Sequence, residues 1–170
     1  MSPIVFVSAH HPSLAPADAF DILRDFHRHA LLSDAVRSVS LEEQPDGSMI
    51  SNWEVNFRNG ILVWSEFDEF DAATNTVRFH YRDGDPEDFS GSWSAALDPS
   101  GQGCTLKFEA RFEIGIPTLS EMLDPLAART LSENVIQTLR GIFGEELMIT
   151  EDRRLDGAAL ESTSIPSPLE

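Results

Sequence analysis

The sequence predicts an α+β fold in which a strongly bent antiparallel sheet of about seven strands surrounds a long C-terminal helix, with two short helices after the first strand. Three observations support this prediction. Segments rich in β-branched and aromatic residues recur between residues 36 and 114 and are separated by turn residues. An apolar pattern with helical period continues for roughly 25 residues after Thr118. Packing every apolar face in this order of elements leaves a cavity between sheet and helix.

The composition limits the class of protein. The chain has 170 residues, 41% of them hydrophobic, which suits one domain with a substantial core. A formal net charge of −17 argues against nucleic-acid binding and against anionic membranes. The single cysteine, Cys104, excludes an internal disulfide and fits a reducing compartment. We find no signal-peptide pattern and no apolar run long enough for membrane insertion, so we expect a cytoplasmic protein.

The N-terminal part is predicted to form a strand, a helix pair and a second strand. Residues Pro3–Ser8 are rich in β-branched and aromatic side chains, as in a strand. Pro16 suits the first turn of a helix, and apolar residues at helical spacing extend that helix over roughly residues 16–29. A short second helix or turn is predicted at residues 31–34, followed by a strand at Val36–Glu43.

The central hairpin carries the main functional clue. Asn59-Gly60 is a strong signal for a two-residue type I′ loop, which needs positive φ at both positions. Because side chains alternate between faces, the apolar face of this hairpin also contains the carboxyl groups of Glu66 and Asp68. The pairs expected from this loop are Arg58 with Ile61, Phe57 with Leu62, Val55 with Trp64, and Trp53 with Glu66.

The following strands form a meander. If Phe70 pairs with Val77 in the strand Thr76–Arg82, the outward-facing Glu69 lies opposite Arg78, a sensible charge pair. The same register sets Asp68 opposite Phe79 and places Trp53, Glu66 and Tyr81 in one row. Further strands are predicted at Phe89–Leu97 and over the alternating residues that end at Ile114.

The C-terminal part is predicted to be a helix and a tail. Thr118 and Glu121 form a capping box, and the helix is expected to end near Leu147 or Thr150. From about Glu151 the sequence is polar and rich in Pro and Ser. We therefore expect one domain over residues 1–150 and a disordered tail over residues 151–170.

Several segments together resemble a known superfamily. The chain to about residue 148 resembles the helix-grip superfamily of START-like, Bet v 1-like and polyketide cyclase domains, and is most similar to bacterial aromatase/cyclases. The residues that carry the resemblance are the strand centred on Trp64, Thr76–Phe79, Gly84-Asp85, Phe89–Trp93, Leu123–Leu126 and Asn134.

The resemblance implies a deep cavity that binds a hydrophobic polyketide presented by an acyl carrier protein and promotes aldol cyclisation and dehydration. In the aromatase/cyclases a Tyr, an Arg and a Gln are implicated, and a Trp-Pro pair is common. Either the acid and base groups have moved in this chain, or it binds without catalysing. The corresponding positions are Asp34 or Ala35, Asp68, Ala110 and His29-Ala30, whereas Trp64, Trp93 and Asn134 match pocket-lining positions.

The catalytic candidates are Glu66, Asp68 and Tyr81. A carboxyl group among Trp53, Trp64 and Tyr81 would be desolvated, and its pKa would rise toward that of a general acid or base at neutral pH. A register error of one residue would instead place both carboxylates in solvent. Tyr81 either donates a hydrogen bond to an enolate oxygen or is a core aromatic residue with a satisfied hydroxyl group.

The binding candidates are mainly aromatic and are expected to line a cavity. A row of aromatic side chains that simply fills the hydrophobic core explains them nearly as well. Thr130 and Asn134 lie four residues apart, on one helix face. His29 is expected at the cavity mouth. The histidines lack the spacing of a metal site, and no phosphate loop or redox-cofactor motif is found, so no cofactor is expected. The candidates are Trp53, Trp64, Phe89, Trp93, Phe108, Thr130, Asn134 and His29.

Two functions follow from these observations. The first is a polyketide cyclase/aromatase-like enzyme that closes rings in a hydrophobic poly-ketone chain with Glu66, supported by Asp68, Tyr81 and Asn134. The second is a non-catalytic carrier for a lipid, a quinone or a natural product. A perturbed ionisable group inside the cavity distinguishes them. Either protein is expected as a monomer or a homodimer that binds a hydrophobic small molecule and no nucleic acid.

Overall fold

One antiparallel sheet organises the computed structural model, which describes residues 4–114, 120–156 and 159–163. The strand order is β2-β3-β4-β5-β6-β7-β1-β8-β9, and α3 packs against β1, β3, β7 and β8. The elements are β1 Ile4–His11, α1 Pro16–Leu23, α2 Phe26–Leu32, β2 Val36–Glu43, β3 Met49–Phe57, β4 Gly60–Asp71, β5 Thr76–Gly84, β6 Asp88–Leu97, β7 Cys104–Glu113, α3 Ser120–Phe143, β8 Met148–Asp156 and β9 Ala159–Thr163.

The curved sheet and the long helix confirm the predicted helix-grip fold. Strand β7 shows why the sequence forms it: Leu106, Phe108 and Ala110 are buried, whereas Lys107 and Glu109 between them are exposed. The apolar face of the sheet therefore covers α3, and the charged face meets solvent. Within the described residues the sheet has nine strands, against the seven predicted, because two more follow α3.

The first helix begins at residue 16 as predicted, but the division between the two helices differs from the prediction. The continuous helix expected over residues 16–29 is wrong, since α1 ends at Leu23 and α2 begins at Phe26. The Asp25 side chain accepts a hydrogen bond from the Arg28 N–H, which caps α2 and favours a new helix over continuation of the old one. The break lets Leu23 and His29 both face the core.

The predicted position of the hairpin loop is wrong by one residue, but every side chain keeps its predicted face of the sheet. The loop is Arg58-Asn59, with Arg58 at φ 57°, and Phe57 pairs with Gly60. Trp53 therefore lies opposite Trp64, and Ser51 opposite Glu66. The register differs from the expected one by two residues, so each side chain keeps its predicted side of the sheet.

The stacked indoles explain why this register forms. The rings of Trp53 and Trp64 lie 6.0 Å apart at an interplanar angle of 7°. A cross-strand aromatic pair of this kind contributes roughly 0.2–1 kcal/mol, which competes with the preference of the Asn-Gly sequence for a loop. The predicted β4–β5 register is confirmed, since Asp68 lies opposite Phe79 and Glu66 opposite Tyr81. The predicted row of Trp53, Glu66 and Tyr81 is wrong only for Trp53, because Ser51 lies opposite Glu66 instead.

The C-terminal segment is ordered where a disordered tail was expected. Residues 151–156 continue β8, which pairs with β1, and residues 159–163 form β9. The prediction of disorder is wrong for these residues because the backbone of β1 supplies hydrogen-bond partners that composition does not reveal. A buried ion pair between Asp152 and Arg154, at 3.1 Å, also holds β8. Residues 157–158 and 164–170 lie outside the described residues.

The long helix ends earlier than expected. It stops at Phe143, where Gly144 adopts φ 84° and its N–H donates to the Arg140 carbonyl oxygen. The predicted capping box depends on Thr118, which lies outside the described residues. No described helix is both long enough and apolar enough to cross a bilayer.

We expect Leu139→Ala to lower the free energy of unfolding by about 2–5 kcal/mol, because the Leu139 side chain is 1% exposed on the inner face of α3. The measurement is urea denaturation followed by circular dichroism. Leu126→Ala on the same helix is the control, since Leu126 is 45% exposed and its loss should cost under about 1 kcal/mol. Equal losses would contradict the packing of α3 described here.

Candidate active site

A cavity lies between the inner face of the sheet and α3. Eight of the predicted binding and catalytic residues line it: His29, Trp53, Trp64, Glu66, Phe89, Trp93, Phe108 and Asn134. The sequence interpretation missed most of the aliphatic part of the wall, because a buried Leu or Val does not by its type distinguish a cavity wall from a filled core. The missed residues are Ala35, Val36, Val55, Phe57, Leu62, Phe79, Leu131, Val135 and Thr138.

The cavity is small in this structure. Its volume is about 60 Å³, whereas sites for drug-sized ligands typically have roughly 300–1,000 Å³. A ligand with even one ring therefore requires side chains of the wall to move apart. The wall is predominantly apolar, so water inside it finds few hydrogen-bond partners.

Two buried carboxyl groups form the polar end of the cavity. Glu66 and Asp68 are two residues apart on β4, on the same face, and their side chains are 5% and 0% exposed. Glu66 belongs to the cavity wall, and Asp68 lies behind it. The Trp64 Nε1–H donates to Glu66 Oε1 at 2.8 Å, so the carboxyl group of Glu66 is held in one orientation.

Ser51 is the residue that completes this network. Its hydroxyl group donates to Asp68 Oδ2 at 2.5 Å and accepts a hydrogen bond from the Trp53 Nε1–H at 2.8 Å. Ser51 was missed because the expected hairpin register placed Trp53, not Ser51, opposite Glu66. The available signal was its position: a serine two residues before Trp53 shares the apolar face of β3.

Burial determines the protonation of the pair. Desolvation, followed by contact with Asp68, raises the pKa of Glu66 well above its ordinary value. Desolvation also raises the pKa of Asp68, against the hydrogen bonds from Glu66 and Ser51 that lower it. The Asp68 Oδ1 atom is buried and has no hydrogen-bond partner among the described residues. Burial therefore favours the protonated form of both carboxyl groups, and a proton shared between them avoids two adjacent buried negative charges.

His29 is a second polar group on the wall. Its Nε2–H donates to the Leu23 carbonyl oxygen at 3.0 Å, and its ring packs on Trp53 and Trp93. Burial lowers the pKa of His29 to about 4, so the imidazole is neutral near pH 7. Its Nδ1 therefore keeps a lone pair, and no described residue donates a hydrogen bond to that atom. His29 was expected at the cavity mouth, and it is 2% exposed.

Besides Asp68, two predicted residues lie off the wall. The Tyr81 hydroxyl group donates to the Gly84 carbonyl oxygen at 2.7 Å, and its side chain is only partly buried. Tyr81 keeps its predicted position opposite Glu66 and packs against the core, but it does not belong to the cavity wall. Thr130 donates to the Leu126 carbonyl oxygen at 3.0 Å, one position before the face of α3 that lines the cavity.

Hydrogen bonds from α3 close the other end of the cavity. Asn134 Nδ2–H donates to the Asn56 carbonyl oxygen at 2.8 Å, next to the hairpin loop. The hydroxyl groups of Thr138 and Ser33 share a hydrogen bond of 3.0 Å. Thr138 was missed although it lies four residues after Asn134 and so on the same helix face. No metal-binding group of three or more His, Cys, Asp or Glu side chains occurs in the described ranges.

We expect the stability difference between Glu66→Gln and the wild type to depend on pH. A raised pKa means that folded Glu66 keeps its proton above the pH where unfolded Glu66 loses it, near pH 4.3. The free energy of unfolding of the wild type therefore falls by up to about 1.4 kcal/mol per pH unit above that point, until folded Glu66 ionises. Glutamine has no such loss, so Glu66→Gln should gain relative stability between about pH 5 and pH 8.

Urea denaturation at three pH values across that range measures this effect. The matched control is Glu69→Gln, because Glu69 lies three residues after Glu66 on the same strand and its side chain is exposed. A constant difference between Glu66→Gln and the wild type over the whole range would contradict a buried, protonated Glu66.

Solved structures of related shape show that the fold is shared. A protein designated TTHA0849 from Thermus thermophilus has a TM-score of 0.75 at 22% identity over 82% of this chain and 94% of that chain. The Zhui aromatase/cyclase from Streptomyces sp. R1128 has a TM-score of 0.66 at 19% identity, covering 84% and 93%. A START superfamily protein from Mycobacterium smegmatis has a TM-score of 0.63 at 22% identity, covering 81% and 95%.

The sequence comparison identifies the family. No curated protein matches this chain. The profile of the family described as "Polyketide cyclase / dehydrase and lipid transport" matches residues 13–137, from just before α1 to near the end of α3. The chain therefore belongs to the polyketide cyclase/dehydrase and lipid-transport family.

Proposed function

We propose that this chain is a polyketide cyclase/aromatase-like enzyme that promotes aldol-type ring closure and dehydration of a hydrophobic poly-ketone chain. The observation that carries the proposal is the buried pair of Glu66 and Asp68, of which Glu66 forms part of the cavity wall. A binding protein needs an apolar cavity of suitable shape, whereas a cyclase also needs a group that donates and accepts protons beside the substrate.

Ring closure begins at a methylene group between two ketones. The free Nδ1 of His29 removes one of its hydrogens, and the resulting enolate carbon attacks a second ketone of the same chain. Glu66 donates its proton to the oxygen of that ketone as the carbon–carbon bond forms, which gives a β-hydroxy ketone. Return of the proton from His29 to Glu66 restores both groups to their starting states.

Dehydration uses the same groups again. His29 removes the remaining hydrogen of the attacking carbon, a double bond forms, and the hydroxyl group leaves as water with the proton of Glu66. No net proton is gained or lost over both steps. Asp68 does not contact the substrate in this scheme; it lies two residues from Glu66 on the same face of β4, where it can share the Glu66 proton, and it accepts a hydrogen bond from Ser51.

The aromatic wall suits a flat product. The stacked rings of Trp53 and Trp64 lie near Glu66, and Trp93 packs on Phe108 with ring centroids 4.5 Å apart. Such faces attract planar unsaturated ligands through dispersion and quadrupole interactions. They also exclude water, which strengthens hydrogen bonds to the developing alkoxide.

The related proteins support this reaction class without assigning it. The family description includes cyclases and dehydrases, and one similar structure carries the description aromatase/cyclase. The residues implicated in those enzymes are absent here, where Asp68 and Ala110 occupy corresponding positions. The Glu66–Asp68 pair, together with His29, would then supply the acid and base in a different arrangement. Presentation of the chain by an acyl carrier protein is part of this proposal.

A carrier function is the second candidate, and the cavity itself favours it. The wall is mostly apolar, and both ends are held by hydrogen bonds that a passive binding protein also needs. The family description includes lipid transport as well. A carrier would bind its ligand with an affinity that is insensitive to the protonation of Glu66, and it would not accelerate any reaction of the ligand.

We expect Glu66→Gln to slow cyclisation by at least about a hundredfold, because glutamine keeps the hydrogen-bond geometry but cannot transfer a proton. The probe is the N-acetylcysteamine thioester of a linear tetraketide, and mass spectrometry measures the loss of water over time. Binding of the same probe, measured by quenching of tryptophan fluorescence, should change by less than about threefold.

Glu69→Gln is the control for loss of a carboxyl group on β4, and it should leave the rate unchanged. Turnover by Glu66→Gln at the wild-type rate would remove Glu66 from the mechanism. If the wild-type protein binds the thioester but does not accelerate its cyclisation over the uncatalysed rate, the carrier function is correct instead.

A further inference from the structure

We infer that Ser51 is a positioning residue: its hydroxyl group fixes the oxygen atoms of the Glu66–Asp68 pair on which a transferable proton can lie. Ser51 is 0% exposed on β3, directly opposite Glu66 on β4, and it does not belong to the cavity wall. It therefore acts on a ligand only through its neighbours. Where it concerns catalysis, this inference rests on the proposed function and deepens it by adding a residue that controls the proton donor.

The first part of the argument is the direction of the hydrogen bonds at Ser51. An indole N–H can only donate, so the bond of 2.8 Å between Trp53 Nε1 and Ser51 Oγ uses a lone pair of the serine hydroxyl group. The hydrogen of that hydroxyl group is directed at Asp68 Oδ2, at 2.5 Å, which makes Oδ2 an acceptor. A proton carried by Asp68 therefore belongs on Oδ1, the buried oxygen without a hydrogen-bond partner among the described residues.

The second part is the same arrangement on the neighbouring strand. The Trp64 Nε1–H donates to Glu66 Oε1 at 2.8 Å. The carbonyl oxygen of a protonated carboxyl group is a better acceptor than its hydroxyl oxygen, so the proton of Glu66 belongs on Oε2. The hydrogen bonds from Trp64 and Ser51 thus leave one oxygen of each carboxyl group for the shared proton, namely Glu66 Oε2 and Asp68 Oδ1.

The third part is the frame that holds both indole rings. Trp53 lies opposite Trp64, and Ser51 lies opposite Glu66, so these residues form a rectangle across β3 and β4. On each strand a hydrogen bond connects the indole ring to a polar group two residues away. Loss of the Ser51 hydroxyl group would leave the Trp53 N–H without an acceptor and Asp68 Oδ2 without a donor, because the described residues show no other hydrogen bond at either atom. Buried groups left unpaired are costly, so the proton would no longer be held at one place.

The test follows the indole N–H signals of Trp53 and Trp64 in nitrogen–proton correlation spectra, from about pH 5 to the alkaline limit of the folded state. The Trp64 signal reports the ionisation of Glu66, because its N–H donates to that carboxyl group. In Ser51→Ala the Trp53 signal should move, and the titration midpoint of the Trp64 signal should rise by at least about half a pH unit. The reason is that a hydroxyl donor favours the ionised carboxylate, so its removal raises the pKa of both carboxyl groups.

The other titratable groups near the pair are the same in both proteins. Within the described wall, His29 is the one such residue besides Glu66. On β5, His80 acts on Asp68 through its charge, and Tyr81 lies opposite Glu66. Any difference between the titration midpoints therefore comes from the substitution at position 51.

Turnover of the tetraketide thioester tests the catalytic part. Ser51→Ala should lower kcat at least about tenfold and change KM by less than about threefold, because the proton is no longer held in one geometry while the cavity wall is unchanged. Ser132→Ala is the matched control for loss of a buried hydroxyl group, since Ser132 is 0% exposed on α3 and its Oγ has no hydrogen-bond partner among the described residues. It should change neither kcat nor the two indole signals. If Ser51→Ala fails to fold by circular dichroism, Ser51→Cys is the substitute, because a thiol is only a weak donor.

Each outcome decides a different question. An unchanged Trp53 signal or an unchanged Trp64 midpoint in the Ser51 variant overturns the inference, because Ser51 would then not act on the carboxyl pair. A shifted midpoint with the wild-type kcat overturns the role of Ser51 in the reaction. A Trp64 signal that does not titrate in the wild type counts against a transferable proton, and so against the inference and the proposed function together. If both signals respond as expected but the wild type does not turn over the thioester, the position of the proton stands and the cyclase function is refuted.

Discussion

Two carboxyl groups inside an apolar core are the constraint on which the structure depends. Removing Glu66 and Asp68 from water is costly unless hydrogen bonds and a shared proton replace hydration. Ser51 and Trp64 supply those hydrogen bonds from the neighbouring strand and from β4 itself. The register of the central hairpin is therefore tied to the protonation of the site, since a shift by one residue would expose both carboxyl groups and bury their outward-facing neighbours.

The rest of the architecture isolates this pair from solvent. Strand β8 covers the edge of β1, and α3 closes the inner face of the sheet. Hydrogen bonds from Asn134 and Thr138 connect α3 to the hairpin and to the segment after α2. These contacts are few and polar, whereas the remaining wall is apolar and can separate without breaking hydrogen bonds. Enlargement of the cavity around a ligand is thus expected at the α3 wall, with the carboxyl pair remaining on the rigid sheet.

A carboxyl group that favours its protonated form and a neutral imidazole both belong to the wall of one cavity. Burial produces both states, because it disfavours the charged form of each group: the pKa of Glu66 rises and that of His29 falls. An apolar enclosure therefore sets the acid–base properties of the site.

The amino-acid sequence by itself determined the faces of the sheet, the order of the seven strands up to Glu113 and the presence of the long helix, because alternation and helical periodicity are local properties. It also placed Glu66 and Asp68 inside, since the register error of two residues kept their face. Only the tertiary structure decided that Ser51 completes the network, that the Tyr81 hydroxyl group donates to the Gly84 carbonyl oxygen outside the cavity wall, and that β8 joins β1. Those outcomes depend on cross-strand stacking, on a bulge and on the unpaired edge of a distant strand, which neighbouring residues in the chain do not encode.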